Sequence, residues 1–296
     1  MLEIKKVSKS FGEKKALDDV SFNVENGEIF GVIGQNGAGK STLFRSIMDF
    51  YKYDGEITID NTPIKKIDLT KIGFLPEERS LSPKKTIKQQ IKYIAKLNKK
   101  KKITDDVIKE WLNLFQVVGN LNDKISTLSK GNQQKVQLIA SLIYEPEYVI
   151  LDEPFSGLDP YNVELLTKII KQINKKGTTF IFSSHNMENI EEMCDRLIML
   201  KDGKRILYGS SEEIKSLYER NLIEVETDHD ISYLSDDPDV ISIERKGNYW
   251  KIMISNEEYG KVIFMNLTRE IGYMPLFSQQ PPSLNEIFSY EVSENE

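Results

Sequence analysis

The chain has a single cysteine, Cys194, in 296 residues. One thiol excludes an internal disulfide and fits a reducing compartment, and on a helix it reads as inert. Nowhere do about eighteen apolar residues run together, the length a helix needs to cross a bilayer, so a link to a membrane must come through a partner or a surface contact. The start, Met1-Leu2-Glu3-Ile4-Lys5-Lys6, lacks the apolar stretch of a secretory signal, and a cytoplasmic location is the expectation. A net positive field is missing too. The formal charge is −6, so nothing global draws the molecule to nucleic acid. What is present, 39% hydrophobic and 29% charged residues, suits a packed core under a water-facing surface, and the length favours two domains.

Hydrophobic periodicity divides the chain. Leu2, Ile4 and Val7 lead to a turn at Gly12, and Val20, Phe22 and Val24 lie on one face of a following strand. Glu28 to Ile33 is a short apolar run entering glycines, as in a strand covered on both sides. Thr42 to Met48 is helical and Gly55 to Ile59 reads as a strand. Helical spacings then fill residues 86 to 118, which predicts a helical subdomain over about 80–145. Apolar strands return at Tyr148–Leu151 and Thr178–Phe182 in βα units. A hairpin turning at Asp202-Gly203 closes this domain, 1–220. Residues 221–296 form a small α+β accessory domain: strands at Leu222–Glu226 and Val240–Ser255, the latter folded at Gly247-Asn248, then helices at Glu257–Ile271 and Leu284–Phe288.

The strongest motif is Gly34-Gln35-Asn36-Gly37-Ala38-Gly39-Lys40-Ser41-Thr42, a G-x-x-x-x-G-K-[ST] loop between an apolar strand and a helix. Its glycines let backbone N–H groups close around phosphate oxygens, and the helix adds its positive end. Lys40 is placed for the β- and γ-phosphates of ATP and the Ser41 hydroxyl for Mg²⁺. Downstream, Tyr148-Val149-Ile150-Leu151-Asp152-Glu153 is an apolar strand ending in two carboxylates. Alone such a pair reads as a turn cap. Behind a phosphate loop, Asp152 becomes a Mg²⁺ ligand and Glu153 the base that activates water.

The order of motifs resembles the ATP-binding subunits of ABC transporters over residues 1 to about 220. Leu128-Ser129-Lys130-Gly131-Asn132-Gln133-Gln134 is similar to the family's LSGGQ signature, with Lys130 and Asn132 at its first-glycine and glutamine positions. Ser156-Gly157-Leu158-Asp159 resembles the D-loop, and His185, in Ser183-Ser184-His185-Asn186-Met187, the switch histidine. Phe11 falls where the family stacks an aromatic on adenine, although packing explains it equally well. Glu77, in Ile72-Gly73-Phe74-Leu75-Pro76-Glu77-Glu78-Arg79, stands where the family has a metal-binding glutamine that also links to the membrane subunit. These departures, with an accessory domain ending Pro282-Ser283-Leu284-Asn285-Glu286-Ile287-Phe288, resemble the ATPases of Nat/Yha-type sodium exporters. The resemblance implies a P-loop NTPase fold with an N-terminal antiparallel β subdomain, a RecA-like core and a helical subdomain. It also implies ATP and Mg²⁺ as ligands, and hydrolysis in a homodimer or a heterodimer with a second ABC ATPase. Ser129, Lys130, Gly131 and Asn132 of one copy would then face the γ-phosphate held by the other, beneath separate permease subunits at the inner face of the membrane.

A lysine-rich stretch, Lys84, Lys85, Lys88, Lys92, Lys96 and Lys99 to Lys102, reads either as a solvated face or as a contact with anionic lipid. His229 lies between acids with no motif around it. The alternative to a transporter is a soluble ABC ATPase of the translation-factor or repair type. Such proteins carry two cassettes, a long coiled coil or a basic surface, none of which is legible here. The transported substrate is not readable from this chain, because its pocket belongs to another polypeptide.

Overall fold

The computed structural model describes residues 1–78, 80–100 and 103–293. The chain divides into two compact units, Met1–Ser210 and Ser211–Glu296, so the division falls before the boundary expected at 220. In the first unit, β1 (Leu2–Phe11) and β2 (Lys14–Val24) pair antiparallel, with register shifts between Ile4 and Val7. That bulge, with Lys6 at a φ of 50°, is why Leu2, Ile4 and Val7 all face inward despite their odd spacing.

The chain continues through β3 (Ile29–Ile33), every residue buried, into α1 (Lys40–Ile47). Next come β4 (Asp54–Ile59), the short β5 (Thr62–Pro63) and β6 (Ile72–Leu75). β4 returns to the first hairpin, giving a four-stranded antiparallel sheet in the order β2-β1-β4-β5. The helical subdomain follows as α2 (Ile87–Leu97), α3 (Asp105–Leu114) and α4 (Lys130–Leu142). Thr86 and Gln89 form a reciprocal capping box at the start of α2, and Thr104 caps α3.

The remaining βα units are β7 (Tyr148–Leu151), α5 (Pro160–Asn174), β8 (Thr179–Ser183) and α6 (Met187–Met193), and the hairpin β9 (Arg196–Lys201) and β10 (Lys204–Gly209) ends the unit. They complete a six-stranded sheet ordered β10-β9-β3-β8-β7-β6. Its strands run parallel except for the β9–β10 hairpin. Cys194 closes α6, and a Cβ on Gly31 of β3 would lie 2.9 Å from its Sγ. Burial pushes this thiol up. The one cysteine is a packing residue between helix and sheet.

The second unit holds α7 (Ser211–Lys215), β11 (Leu222–Glu226), β12 (Val240–Lys246), β13 (Tyr249–Ile254), α8 (Tyr259–Ile271), β14 (Leu276–Gln280) and α9 (Leu284–Ser293). Its strands form an antiparallel sheet ordered β12-β13-β11-β14. One face carries a separate core of Ile223, Val225, Trp250, Ile252 and Ile254, packed with Ile263 and Leu267 of α8. His229 is exposed.

Candidate nucleotide site

Four parallel strands, β3, β8, β7 and β6, stand side by side in the central sheet, so their carboxyl ends emerge at one edge. The phosphate loop leaves β3, His185 follows β8, Asp152 and Glu153 follow β7, and Glu77 follows β6. Open α/β sheets bind ligands at that edge.

The phosphate loop is fixed by its glycines. Gly34, Gly37 and Gly39 have φ of 153°, 87° and 108°. A Cβ on Gly34 would lie 2.4 Å from the Leu200 carbonyl oxygen, and one on Gly39 would lie 2.5 Å from that of Ala16. Gly37 has nothing within 4 Å of its position. The loop is thus clamped at both ends against β9 and β2, with an open crown between. Lys40, the first residue of α1, is buried and turns its Nζ back to donate to the Gly34 and Gln35 carbonyls at 2.7 and 3.2 Å. Its ammonium is therefore held inside the loop.

Asp152 is buried, and its Oδ1 accepts a 2.7 Å bond from the Ser183 hydroxyl. The same oxygen, Ser183 Oγ, accepts from the Glu153 amide at 2.9 Å. One fully buried serine at the end of β8 therefore holds the side chain of Asp152 and the backbone of Glu153 at the end of β7. Sequence reading passed over Ser183; its signal was a polar residue closing an otherwise apolar strand. Glu153 has a left-handed backbone, φ 50°, which turns the chain sharply out of the sheet. Its Oε2 lies 2.9 Å from His185 Nδ1, with His185 exposed. An ionised carboxylate only accepts, so Nδ1 carries the hydrogen and Nε2 is left for another partner.

Ser41 and Asp152 supply a hydroxyl and a carboxylate, hard oxygen donors that suit Mg²⁺, which takes few protein ligands and completes its shell with phosphates and water. Among the described residues no group of three or more His, Cys, Asp or Glu is placed to hold a metal. Glu77 is exposed after Leu75, whose register partner is Leu151. Arg79 lies outside the described residues.

The signature segment opens α4. Ser129 is its N-cap, and its hydroxyl oxygen accepts from the Asn132 amide at 3.3 Å and from Asn132 Nδ2 at 3.0 Å. What Ser129 then has to offer a ligand is its hydroxyl hydrogen. Asn132 Oδ1 accepts from the Val118 amide at 2.9 Å, so the departure from the usual glutamine anchors the helix start to the preceding loop. Ser129 and Lys130 are exposed, and beside Gly131 a Cβ would meet only Leu158 Cδ2, at 3.5 Å. Gln134 Nε2 donates to the Pro154 carbonyl at 3.1 Å, tying α4 to the turn after Glu153. Asp159 caps α5 through Asn162, whose backbone and side-chain bonds hold its carboxyl below the usual range.

Phe11 ends β1 and is 46% exposed. The lysine-rich face is partly neutralised: Lys88 and Lys92 both pair with Asp105, Lys99 with Asp68 and Lys100 with Glu145. Lys101 and Lys102 lie outside the described residues.

The model of the ABC transporter family matches residues 17–156, and that of the C-terminal domain of DrrA1-3-like ATP-binding proteins matches residues 209–292. The ABC transporter ATP-binding protein YhaQ of Bacillus subtilis is 38% identical over 296 residues, covering 99% of this chain and 98% of that protein. This chain belongs to the ABC transporter ATP-binding proteins. It is an ATP-hydrolysing ABC ATPase, and ATP with Mg²⁺ are its ligands. The Nod factor export ATP-binding protein I of Rhizobium etli is 30% identical over 97% of this chain and 92% of its own. The methionine import ATP-binding protein MetN of Clostridioides difficile is 35% identical over 72% of this chain and 70% of its own. Among solved structures, the ABC cassette MJ0796, a post-hydrolysis dimer bound to ADP and Pi, superposes with a TM-score of 0.65 at 28% identity, covering 71% of this chain and 98% of that one. No helix among the described residues of this ABC cassette is long and apolar enough to cross a membrane.

Proposed function

We propose that this chain powers an exporter by closing with a second cassette around two MgATP and opening again on hydrolysis, beneath separate permease subunits. The observation that carries the reading is the convergence of the phosphate loop, Asp152, Glu153 and His185 at one edge of a parallel sheet, with Ser183 fixing both acids.

In this reading the loop amides of Gly34 to Gly39, with Lys40 and Thr42, hold the triphosphate. Ser41 and Asp152 would hold Mg²⁺, which would supply positive charge against the phosphate oxygens. Glu153 orients the attacking water and takes its proton, and His185, on the γ-phosphate side, holds that carboxylate in place through Nδ1. Phe11 stacks on adenine. Glu77 senses the metal side of the site and carries the signal to the permease. The exposed start of α4, with Ser129, Lys130, Gly131 and Asn132, binds the γ-phosphate held by the other copy, using the hydroxyl hydrogen of Ser129 and the positive end of the helix. Asp159 lies in the segment that follows Glu153 and reaches toward the same junction.

Export is the direction named for the Rhizobium etli Nod factor protein, which aligns along 97% of this chain and supports the reading. A cleft of about 350 Å³ beside the Glu77 segment, lined by Phe50, Leu69, Phe74, Ile94 and Leu97 with polar Ser80, Gln90 and Gln137 among them, supports docking of an amphipathic permease segment. The test uses everted membrane vesicles carrying the chain and its co-expressed permease. ATP-dependent accumulation of sodium, peptide, drug or lipid inside these vesicles is expected. Accumulation only in right-side-out vesicles overturns the exporter reading, and ATP turnover unchanged in Glu153→Gln overturns the assignment of the base.

A further inference from the structure

Tyr51 follows α1 and has no place in any motif, yet it is tied to the nucleotide site from two sides. Its ring meets Phe11 edge to face, with centroids 5.2 Å apart and planes at 81°. Its hydroxyl accepts a 3.1 Å bond from Arg45 Nη1, on the last turn of α1. Lys9 Nζ sits over both rings, 4.8 Å from the centroid of Phe11 and 5.6 Å from that of Tyr51. The bond with Tyr51 raises the Arg45 guanidinium above its ordinary value against the opposing effect of burial, and the carboxylates of Asp152 and Glu78 add to it. Arg45 thus ties the aromatic pair to α1.

Phe11 alone is poorly suited to hold a base. It ends a strand beside a glycine turn, and 46% of it is open to solvent. An exposed ring at a chain bend keeps rotational freedom, and that freedom must be given up when a base stacks on it. An edge-to-face neighbour removes it beforehand and contributes attraction of its own.

We propose that Tyr51 is the positioning residue of the adenine platform: anchored by Arg45 to the helix that leaves the phosphate loop, it presets the ring of Phe11 for the base. The proposal rests on Phe11 being that platform. It adds that base and triphosphate are registered through one rigid element, α1, which carries Lys40 at its start and Arg45 near its end. Lys9 completes the corner as a cation over the rings.

The experiment measures binding of MgATP, and of inorganic tripolyphosphate with Mg²⁺, to the full chain by equilibrium titration. Tyr51→Ala weakens MgATP binding about three- to tenfold and leaves tripolyphosphate unchanged, since the latter has no base. Tyr51→Phe, which keeps the ring and loses the Arg45 bond, falls between the parent and Tyr51→Ala for MgATP and leaves tripolyphosphate unchanged. Phe11→Ala weakens MgATP by at least as much, and adding Tyr51→Ala to it costs nothing further, because Tyr51 acts through Phe11. Equal weakening of both ligands in Tyr51→Ala means that the phosphate loop itself is disturbed, and overturns the proposal. Additive losses in the double variant overturn it as well. If Phe11→Ala binds MgATP normally, the platform reading fails first, and the role of Tyr51 falls with it.

Discussion

Among single residues, Ser183 connects sequence to chemistry most directly. A parallel register sets Leu151 beside Phe182, so the residue ending β8 must meet the residues that follow β7. Serine there satisfies a buried Asp152 oxygen and the Glu153 amide at once. Ser183→Ala leaves both without that partner. We expect a loss of about 1–3 kcal/mol in unfolding free energy together with weaker Mg²⁺ dependence of ATP binding, read by denaturant titration and by nucleotide titration at graded Mg²⁺. Glu153→Gln keeps the shape and removes the proton acceptor, so turnover should fall by about a hundredfold or more while MgATP still binds. A phosphate-release assay beside a nucleotide titration checks both halves. The placement of Lys40, Ser41, Asp152, Glu153 and His185 at one edge of the sheet was legible because each sits in a motif at a strand end. Ser183, Tyr51 and Arg45 were not, because their roles come from neighbours that only the folded sheet and helix bring close.

At the scale of elements, the phosphate loop shows which glycines are required by space and which by backbone alone. Gly34→Ala drives a Cβ to 2.4 Å from the Leu200 carbonyl oxygen, whereas Gly37→Ala meets nothing within 4 Å. The first change combines overpacking with backbone strain and should lower stability by about 2–5 kcal/mol; the second carries only strain, about 1–2 kcal/mol. Thermal unfolding of the nucleotide-free variants would contradict this if the two lost equal stability. In the second unit, Glu286 at the start of α9 accepts bonds from the Ser283 amide and hydroxyl at 2.8 and 2.6 Å and pairs with Lys251 at 2.7 Å. Burial alone would raise its pKa, but these bonds outweigh burial and hold it below the usual glutamate value. A carboxylate depressed in the folded state stabilises above its unfolded value and loses that contribution as pH falls through the folded one. The acid-side loss of stability should therefore be shallower in Glu286→Gln, with Trp250 fluorescence in a Trp111→Phe background as the reporter. Most elements of both units could be read from periodicity. β6, with four residues and a glycine, and β14, ending in two glutamines, could not. Each is defined by its ladder, to β7 and to β11 respectively, and not by its own pattern.

At the scale of the whole molecule, the proposed sandwich sets what two nucleotides must contribute to hold two copies closed. Moving an equilibrium from mostly open to mostly closed takes about 5.5 kcal/mol of differential binding. Two symmetric sites share that, so each must supply roughly half. A charge-assisted hydrogen bond gives about 1.5–3 kcal/mol, which makes the Ser129 hydroxyl sufficient in order of magnitude, with the helix end adding more. Ser129 is also the N-cap of α4, so replacing it by alanine would weaken the helix and the phosphate contact together. Ser129→Asp separates them: aspartate caps a helix as well as serine but sets a negative charge against the γ-phosphate. In a Glu153→Gln background, saturating MgATP should double the mass measured by light scattering, and removing Mg²⁺ should reverse it. With Ser129→Asp added, the chain should keep its unfolding temperature and stay monomeric at the same MgATP. A pairing that survives Ser129→Asp would show that the start of α4 does not reach the other copy's nucleotide. Should Glu153→Gln remain monomeric alone yet pair when a related cassette is added, the working sandwich is a heterodimer and the same arithmetic applies to its two unequal sites.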